Sequence, residues 1–203
     1  MYTPKHFLVD DKAELLAFMQ QYSFALLIST HNNCPTATHL PFIVQQTADD
    51  NIVLTAHFAK ANPQWQQITQ QKVLVVFSQP HAYISPKHYD NAISVPTWNY
   101  IAVHAYGHAQ IIDQPVQVLS ILEQTIQYYE SDYLAQWHSL PNDYKHSMIQ
   151  GIVAFNIQID QLQASYKLSQ NKNEGEKQRI MHTLSNSPHS HEKDIADYMR
   201  SLV

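Results

Sequence analysis

The stretch VPTWNYIAVHAYGHAQIID, residues Val95 to Asp113, decides the fold class because it sets a polar aromatic cluster before a long alternating strand. Successive side chains of a strand face opposite sides, so Trp98 and Tyr100 share one face and Asn99 takes the other. A purely structural strand needs only β-branched or aromatic residues on its buried face. The cluster therefore predicts ligand contact, with two rings that simply fill a core as the alternative. Asn99 favours the first interpretation, since a buried amide needs partners.

The rest of the chain predicts further short strands, with helices set after strand pairs. Turn-forming residues separate predicted strands at 24–30, 36–45, 52–57, 72–78 and 151–159. Helices are predicted to begin after the capping sequence at 11–14, at Asn62-Pro63 and at Pro115. A further helical piece is predicted to end at Met148, and two more helices are predicted over 174–185 and 190–202. The regular alternation of a doubly wound sheet is missing, so we expect a mainly β fold with helices, built as a barrel.

Composition limits the classes of protein that remain. The 203 residues carry a net charge of −5 and only 14% charged residues, which argues against a broad basic face for nucleic acid. The single cysteine, Cys34, suits a reducing cytoplasm, and no 18-residue apolar stretch or signal peptide is present, so no membrane association is expected. We expect one domain over 1–171 and a helical tail over 172–203.

Two polar segments are candidates for phosphate or ligand binding. With three glycines in the chain, a phosphate-binding glycine loop is excluded, and nucleotide binding must rest on side chains and helix ends. Lys60 follows the strand at 52–57 and precedes the helix cap at Asn62, where an ammonium and free N–H groups can meet a phosphate. The box Lys167-Leu168-Ser169-Gln170-Asn171 follows the last strand. The alternatives are an ordinary surface lysine and a solvated linker.

Metal and nucleophile chemistry have little support in the sequence. On a strand, His104 and His108 lie roughly 13 Å apart, too far to share a metal ion that binds imidazole nitrogens at about 2.1 Å. No Gly-x-Ser-x-Gly sequence is present, and Cys34 lies in a turn without a basic neighbour. We therefore nominate no catalytic residue and no metal ligand.

Six pieces in a fixed order give the chain a family resemblance that covers roughly residues 1 to 171. They are MYTPKHF at 1–7, HLPF at 39–42, HFAKANPQW at 57–65, PHAYISP at 80–86, the Trp98 cluster and the Lys167 box. Together they resemble the PaiB-type family, described as FMN-binding negative transcriptional regulators. The resemblance implies a split β-barrel related to pyridoxamine-phosphate oxidases and flavin reductases, with FMN at the interface of a homodimer. One departure is Lys172-Asn173, where an Arg-Pro pair is common.

The resemblance also implies site residues. The related flavin-binding barrels place a Thr and a basic residue in the order of Thr55 and Lys60. The expected FMN-binding residues are Thr55, Ala56, His57, Lys60, Trp98, Asn99, Lys167, Ser169, Gln170 and Asn171. His57 is the only titratable group that we nominate near the flavin ring.

The resemblance predicts a homodimeric, FMN-binding transcriptional regulator, with DNA or a regulatory protein as a possible partner. No helix-turn-helix or basic recognition stripe supports direct DNA binding. The alternative is an FMN-dependent oxidoreductase, in which the flavin carries the chemistry and the protein orients it. A third interpretation is a tetrapyrrole-binding barrel or a simple interaction module.

Overall fold

The computed structural model describes residues 1–202 as a mainly antiparallel sheet with helices. The strands are β1 (Phe24–His31), β2 (Cys34–Pro41), β3 (Ile43–Gln46), β4 (Ile52–Ala59), β5 (Lys72–Phe77), β6 (His81–Ile84), β7 (Thr97–Ile112) and β8 (Ile152–Lys167). The α-helices are α1 (Lys12–Gln21), α2 (Pro115–Tyr129), α3 (Leu134–Ser139), α4 (Asn142–Ile149), α5 (Glu174–Ser185) and α6 (Ser190–Ser201). The predicted mainly β class with helices is confirmed.

The strands form one sheet in the order β2-β1-β5-β7-β8-β4-β3, and β6 pairs with the start of β7. Within residues 1–202 this order ends at β2 and β3 without closing into a complete barrel. The β1–β2 hairpin turns at Asn32 and Asn33, whose φ values of 51° and 59° suit a two-residue turn that follows the strand twist.

The chain divides into two compact units, and β7 and β8 each contribute residues to both of them. The first unit contains Met1–Asp11, Ser78–Val103 and the described residues from Gln163 onward. The second unit contains Lys12–Phe77 and His104–Leu162.

Aromatic side chains fill the core of the second unit. Phe155 stacks on Phe58 with ring centroids 5.0 Å apart, and Phe42 lies 6.2 Å from Phe77 and 6.5 Å from Phe155. Gly107 of β7 lies against β8, where a Cβ atom at this position would overlap the carbonyl oxygen of Gln158. The backbones of β7 and β8 can therefore approach this closely at Gly107 because glycine has no side chain.

The first unit combines β6 and the start of β7 with the two C-terminal helices. Asn173 and Glu176 form a capping box at the start of α5, which explains why that helix begins at Glu174. The side chains of Ile195 and Met199 are buried on one side of α6, and the side chain of Ile180 is buried on α5. The two helices predicted in the tail are thereby confirmed, within one or two residues of the predicted ends.

Three predicted elements differ from the structure. β8 continues to Lys167, beyond the predicted end at 159. The prediction ended too early because polar residues such as Gln158 and Asp160 interrupt the apolar pattern. The predicted strand at 36–45 divides into β2 and β3 at Phe42, and the helix after Asn62 is a single 3-10 turn, Pro63–Gln66. β6, which carries one of the family pieces, was not predicted as a strand.

Candidate functional site

A cavity of about 740 Å³ in the first unit is the best candidate for a ligand site. Its walls come from the N-terminal segment, the loop before β7, the start of β7 and the loop after β8. The lining residues are His6, Phe7, Tyr89, Ala92, Ile93, Ser94, Val95, Thr97, Asn99, Lys167, Ser169, Asn171 and Lys172. Four of the predicted FMN-binding residues, Asn99, Lys167, Ser169 and Asn171, are among them.

Two hydrogen bonds join the Trp98 cluster to the Lys167 box at this cavity. The Ser169 hydroxyl donates to Asn99 Oδ1 at 3.1 Å, and the Lys167 ammonium donates to Thr97 Oγ1. Asn99 is fully buried, and its Nδ2 has only the sulfur of Met199, 3.6 Å away, as an acceptor. Segments that are 70 residues apart in sequence thus converge on one site, where the buried Asn99 has a hydrogen-bond partner for its amide oxygen.

The loop after β8 is held in an unusual backbone conformation. Ser169 has a φ of 62°, in the left-handed region that is uncommon for residues other than glycine. The Gln170 side chain accepts from Leu168 N at 2.8 Å and donates to Tyr166 O at 2.5 Å, and the Lys172 amide donates to Ser169 O at 3.0 Å. Gln170 therefore uses its amide to shape the loop. Strained residues of this kind concentrate at functional sites.

The electrostatic character of the cavity is positive. Lys167 and Lys172 line it and no Asp or Glu is among the lining residues. Burial lowers the pKa of the Lys167 ammonium. The Lys172 ammonium lies 3.7 Å from the ring centroid of Tyr89, and the Tyr89 hydroxyl is buried without a hydrogen-bond partner in the described chain.

Trp98 lies on the other face of β7, as strand alternation predicts. It is 53% exposed and contacts Tyr83 and His81, with ring centroids 5.8 and 5.9 Å away. It does not line the cavity that contains Asn99. Trp98 and Asn99 are adjacent in sequence but offer their side chains to different surroundings.

The other four predicted residues belong to β4 and its following turn, in the second unit. Thr55 is buried and donates to Asn156 Oδ1 at 2.7 Å, and Ala56 is also buried. Burial lowers the pKa of the half-buried His57 imidazole. Lys60 is exposed, its amide donates to Gly151 O at 2.8 Å, and the Asn62 side chain caps the following turn by accepting from Gln64 N. The predicted cap at Asn62 is confirmed.

The second unit also contains a cavity, of about 1080 Å³, with a different lining. Thr55, Asn156 and several glutamines contribute to it, including Gln46, Gln110 and Gln124. None of its lining residues carries an ionisable side chain.

Sequence reasoning did not select Tyr89 or His6, and it treated Lys172 only as a departure from the family pattern. Tyr89 lies in a loop without periodicity, so no local signal distinguishes it. Lys172 directly follows the Lys167 box, and extending that box by one basic residue would have included it.

Two other kinds of functional feature are absent from residues 1–202. No three His, Cys, Asp or Glu side chains cluster closely enough to hold a metal ion in that range. None of the helices described there has the length and apolar character needed to cross a bilayer.

The chain matches a known family and curated relatives along most of its length. Residues 1–161 match the family described as "Putative FMN-binding domain". The chain is 39% identical over 206 residues to the Protease synthase and sporulation protein PAI 2 of Bacillus subtilis, covering all of this chain and 98% of that protein. It is 28% identical to an uncharacterised protein of Emericella nidulans, over 81% of this chain and 80% of that one. These matches confirm the resemblance and the prediction of FMN as cofactor.

Solved structures support the fold. The flavocytochrome Anf3 of Azotobacter vinelandii aligns with a TM-score of 0.65 at 12% identity, over 81% of this chain and 72% of that one. The FAD and heme binding protein of Mycobacterium smegmatis aligns with a TM-score of 0.63 at 11% identity, over 85% and 78%. At such low identity the likeness concerns the fold alone, and it confirms the predicted split-barrel class.

Proposed function

Because this chain belongs to the PaiB-type family of FMN-binding proteins, we propose that it is a homodimeric, FMN-dependent negative regulator of transcription. Support comes from the family's FMN-binding character and from the full-length similarity to a protein named for protease synthesis and sporulation. A cytoplasmic location is part of the proposal and rests on the single cysteine.

The observation that carries the proposal is the convergence of the Trp98 cluster and the Lys167 box on one cavity. Asn99, Ser169 and Asn171 offer amide and hydroxyl groups there, and Lys167 offers a positive charge. Such groups suit the heteroatoms of a flavin, and the apolar lining suits a large aromatic body. We propose Asn99, Lys167, Ser169 and Asn171 as direct FMN contacts and Gln170 as the residue that shapes their loop.

The residues of β4 form a separate part of the proposal. Lys60 is exposed and follows the buried Thr55 at the interval that the family resemblance associates with flavin phosphate. Ala56 and His57 lie between them. A lysine with no competing carboxylate in its described contacts keeps its charge available for a phosphate.

Dimerisation and the regulatory partner are further parts of the proposal. Trp98 and Tyr83 are 53% and 49% exposed and in contact with each other, and exposed aromatic pairs of this kind are enriched at protein interfaces. With a net charge of −5, a regulatory protein is a better partner than DNA, which requires a basic surface.

A flavin titration tests the cofactor part. We expect FMN to bind with micromolar affinity or better, about −8 kcal/mol or stronger, and flavin fluorescence to report it. Replacing Lys60 with Ala should weaken binding by about 1.5–3 kcal/mol, while Lys12→Ala, which removes the exposed partner of Asp50, should not. Equal affinities for K60A and the parent protein would remove Lys60 from the site.

Two further measurements separate the regulator from the oxidoreductase. Light scattering with FMN present should return twice the 23.4 kDa mass of the chain. Stopped-flow mixing of the FMN-loaded protein with NADH or NADPH should leave the flavin absorbance unchanged over seconds. Rapid bleaching followed by steady turnover with an acceptor would establish the oxidoreductase instead.

A further inference from the structure

The first-unit cavity has two ammonium groups without an ion-pair partner. Within residues 1–202, Lys167 is hydrogen-bonded to the neutral Thr97 hydroxyl, and Lys172 rests on the ring of Tyr89. Neither takes part in a salt bridge with the described Asp and Glu residues. Positive charges gathered at a concave site whose lining contains no acidic side chain raise the local concentration of anions.

Glu174, two residues from Lys172, pairs with Lys177 at 3.2 Å, and the carboxylates of Asp90 and Glu176 are also engaged elsewhere. Asp90 is paired with Arg179 and accepts from Asn173 Nδ2 at 2.9 Å. Glu176 accepts from the backbone amides of Asp90 and Asn173, at 3.0 and 3.3 Å. Both carboxylates are therefore committed to the start of α5 and its neighbouring loop, and the charge of the two lysines remains available.

A third group adds a hydrogen-bond donor. Tyr89 is one of the lining residues, and its hydroxyl is buried without a partner among the described residues, which is a costly state for a polar group unless a ligand completes it. Burial, followed by the charge of Glu176, raises the pKa of Tyr89, so the hydroxyl keeps its proton and can donate.

The cavity also has apolar lining residues. Phe7 is buried there, whereas Ile93 and Val95 are 91% and 77% exposed although they are large aliphatic side chains. Exposed aliphatic groups beside a basic, polar pocket match a ligand that has an apolar body and one anionic group.

We propose that this cavity is an oxyanion site, in which Lys167, Lys172 and the Tyr89 hydroxyl bind the phosphate or carboxylate of a ligand whose apolar body lies against Phe7, Ile93 and Val95. The inference builds on the proposed function because Lys167 is one of the proposed FMN residues, but Tyr89 and Lys172 are new. FMN itself, through its phosphate, is one source of the anion, and in that case Lys60 is not the phosphate ligand. A separate small anionic effector is the other.

The test compares Lys172→Met and Tyr89→Phe with the parent protein and with Lys193→Met, an exposed lysine of α6 outside the cavity. Each protein is titrated with FMN, with riboflavin, and, when FMN-saturated, with phenyl phosphate and its neutral counterpart benzyl alcohol. Buffers contain no phosphate. Thermal unfolding of every variant verifies that it folds.

If the anion belongs to FMN, K172M and Y89F should lower FMN affinity about tenfold or more while riboflavin affinity stays constant. If it belongs to an effector, FMN affinity should stay constant and phenyl phosphate binding should fall by a similar factor, with benzyl alcohol much weaker throughout. Either result supports the site and identifies the source.

The site is refuted if both variants bind FMN and phenyl phosphate like the parent protein, or if K193M loses as much affinity as K172M. This outcome is distinct from failure of the proposed function, because a chain that binds no FMN at all can still be titrated with phenyl phosphate. Conversely, FMN binding that depends on Lys60 but not on Lys172 or Tyr89 would preserve the cofactor while removing this site.

Discussion

The cavities of the two units differ most in charge. The first-unit cavity of about 740 Å³ is lined by two lysines and no acidic side chain, together with short hydroxyl and amide side chains. The second-unit cavity of about 1080 Å³ is lined by glutamines, hydroxyl groups and aliphatic side chains and by no ionisable group. The lining of the first cavity favours an anionic group, whereas the lining of the second favours neutral hydrogen-bonding groups.

The contrast extends to particular polar groups of the two units, although the buried His104 Nδ1 of the second unit also has no partner among the described residues. In the second unit, Thr55 donates to Asn156, and Tyr129 is 2.9 Å from the Ser23 hydroxyl and donates to Phe42 O at 3.1 Å. In the first unit, the described residues offer no partner to the Tyr89 hydroxyl and only a sulfur to the Asn99 amide nitrogen. Unfinished hydrogen bonding around a cavity is expected where a ligand completes the site.

The largest expected effect is on backbone packing in the second unit. Gly107→Ala should destabilise the protein by about 3 kcal/mol, because the added Cβ meets the carbonyl of Gln158, a backbone atom that cannot rotate away. Gly175→Ala, in the first turn of α5 with only ordinary contacts at 3.5 Å, should be neutral or slightly stabilising. Urea unfolding of both variants measures the difference. Equal stabilities would show that β7 and β8 can separate at Gly107 without cost.

The next largest effect concerns the polar link of the first unit. Asn99→Ala removes a fully buried amide and leaves the Ser169 hydroxyl without its acceptor, so we expect a loss of about 2–3 kcal/mol in unfolding free energy. Thr55→Val removes a comparable single hydrogen bond in the second unit and should cost about 1 kcal/mol. Equal losses of unfolding free energy in T55V and N99A would show that the buried Asn99 and its hydrogen bond from Ser169 contribute no more to stability than a single ordinary hydrogen bond.

Most of the fold was predictable from the sequence because its signals are local. The alternation in β7, the turn residues Asn32-Asn33 and the helix cap at Asn62 each act over a few residues, and each of these features is found where it was predicted. The predictions failed where tertiary pairing overrides local pattern. β8 remains a strand through the polar residues near Asp160 because its neighbours in the sheet supply the hydrogen bonds.

The candidate site was predictable only in part. Asn99 and Ser169 were singled out by composition and resemblance, but nothing in the sequence indicates that one donates to the other across 70 residues. Tyr89 could not be found at all, because its significance lies in a missing partner, which is a property of the folded environment. Sequence motifs identify groups capable of binding, whereas burial determines which of them remain unsatisfied.

A smaller effect is expected from two tyrosine substitutions, one in each unit. Tyr129→Phe loses two hydrogen-bonding contacts and should destabilise the protein by about 1 kcal/mol. Tyr89→Phe removes a hydroxyl that has no partner and keeps the ring under Lys172, so the ligand-free protein should be equally or slightly more stable. Thermal unfolding without phosphate or flavin measures both. A loss in Y89F equal to that in Y129F would reveal a hydrogen bond to the Tyr89 hydroxyl.

The smallest expected effect is a pH dependence that originates in the second unit. Burial lowers the folded-state pKa of His57, so the unfolded chain binds a proton there at a higher pH than the folded chain does. The stability that depends on a neutral His57 should therefore be fully present above about pH 6.5, the ordinary histidine pKa. The free energy of unfolding should fall as the pH decreases from 6.5 toward the lowered pKa. His57→Gln cannot titrate and should lose less stability between pH 7.5 and 5.5 than the parent protein, with His31→Gln, an exposed position, measured in parallel. If H57Q and the parent lose the same amount of unfolding free energy, the second unit tolerates a charged imidazole. The difference in charge between the two units then concerns only the residues that line the two cavities.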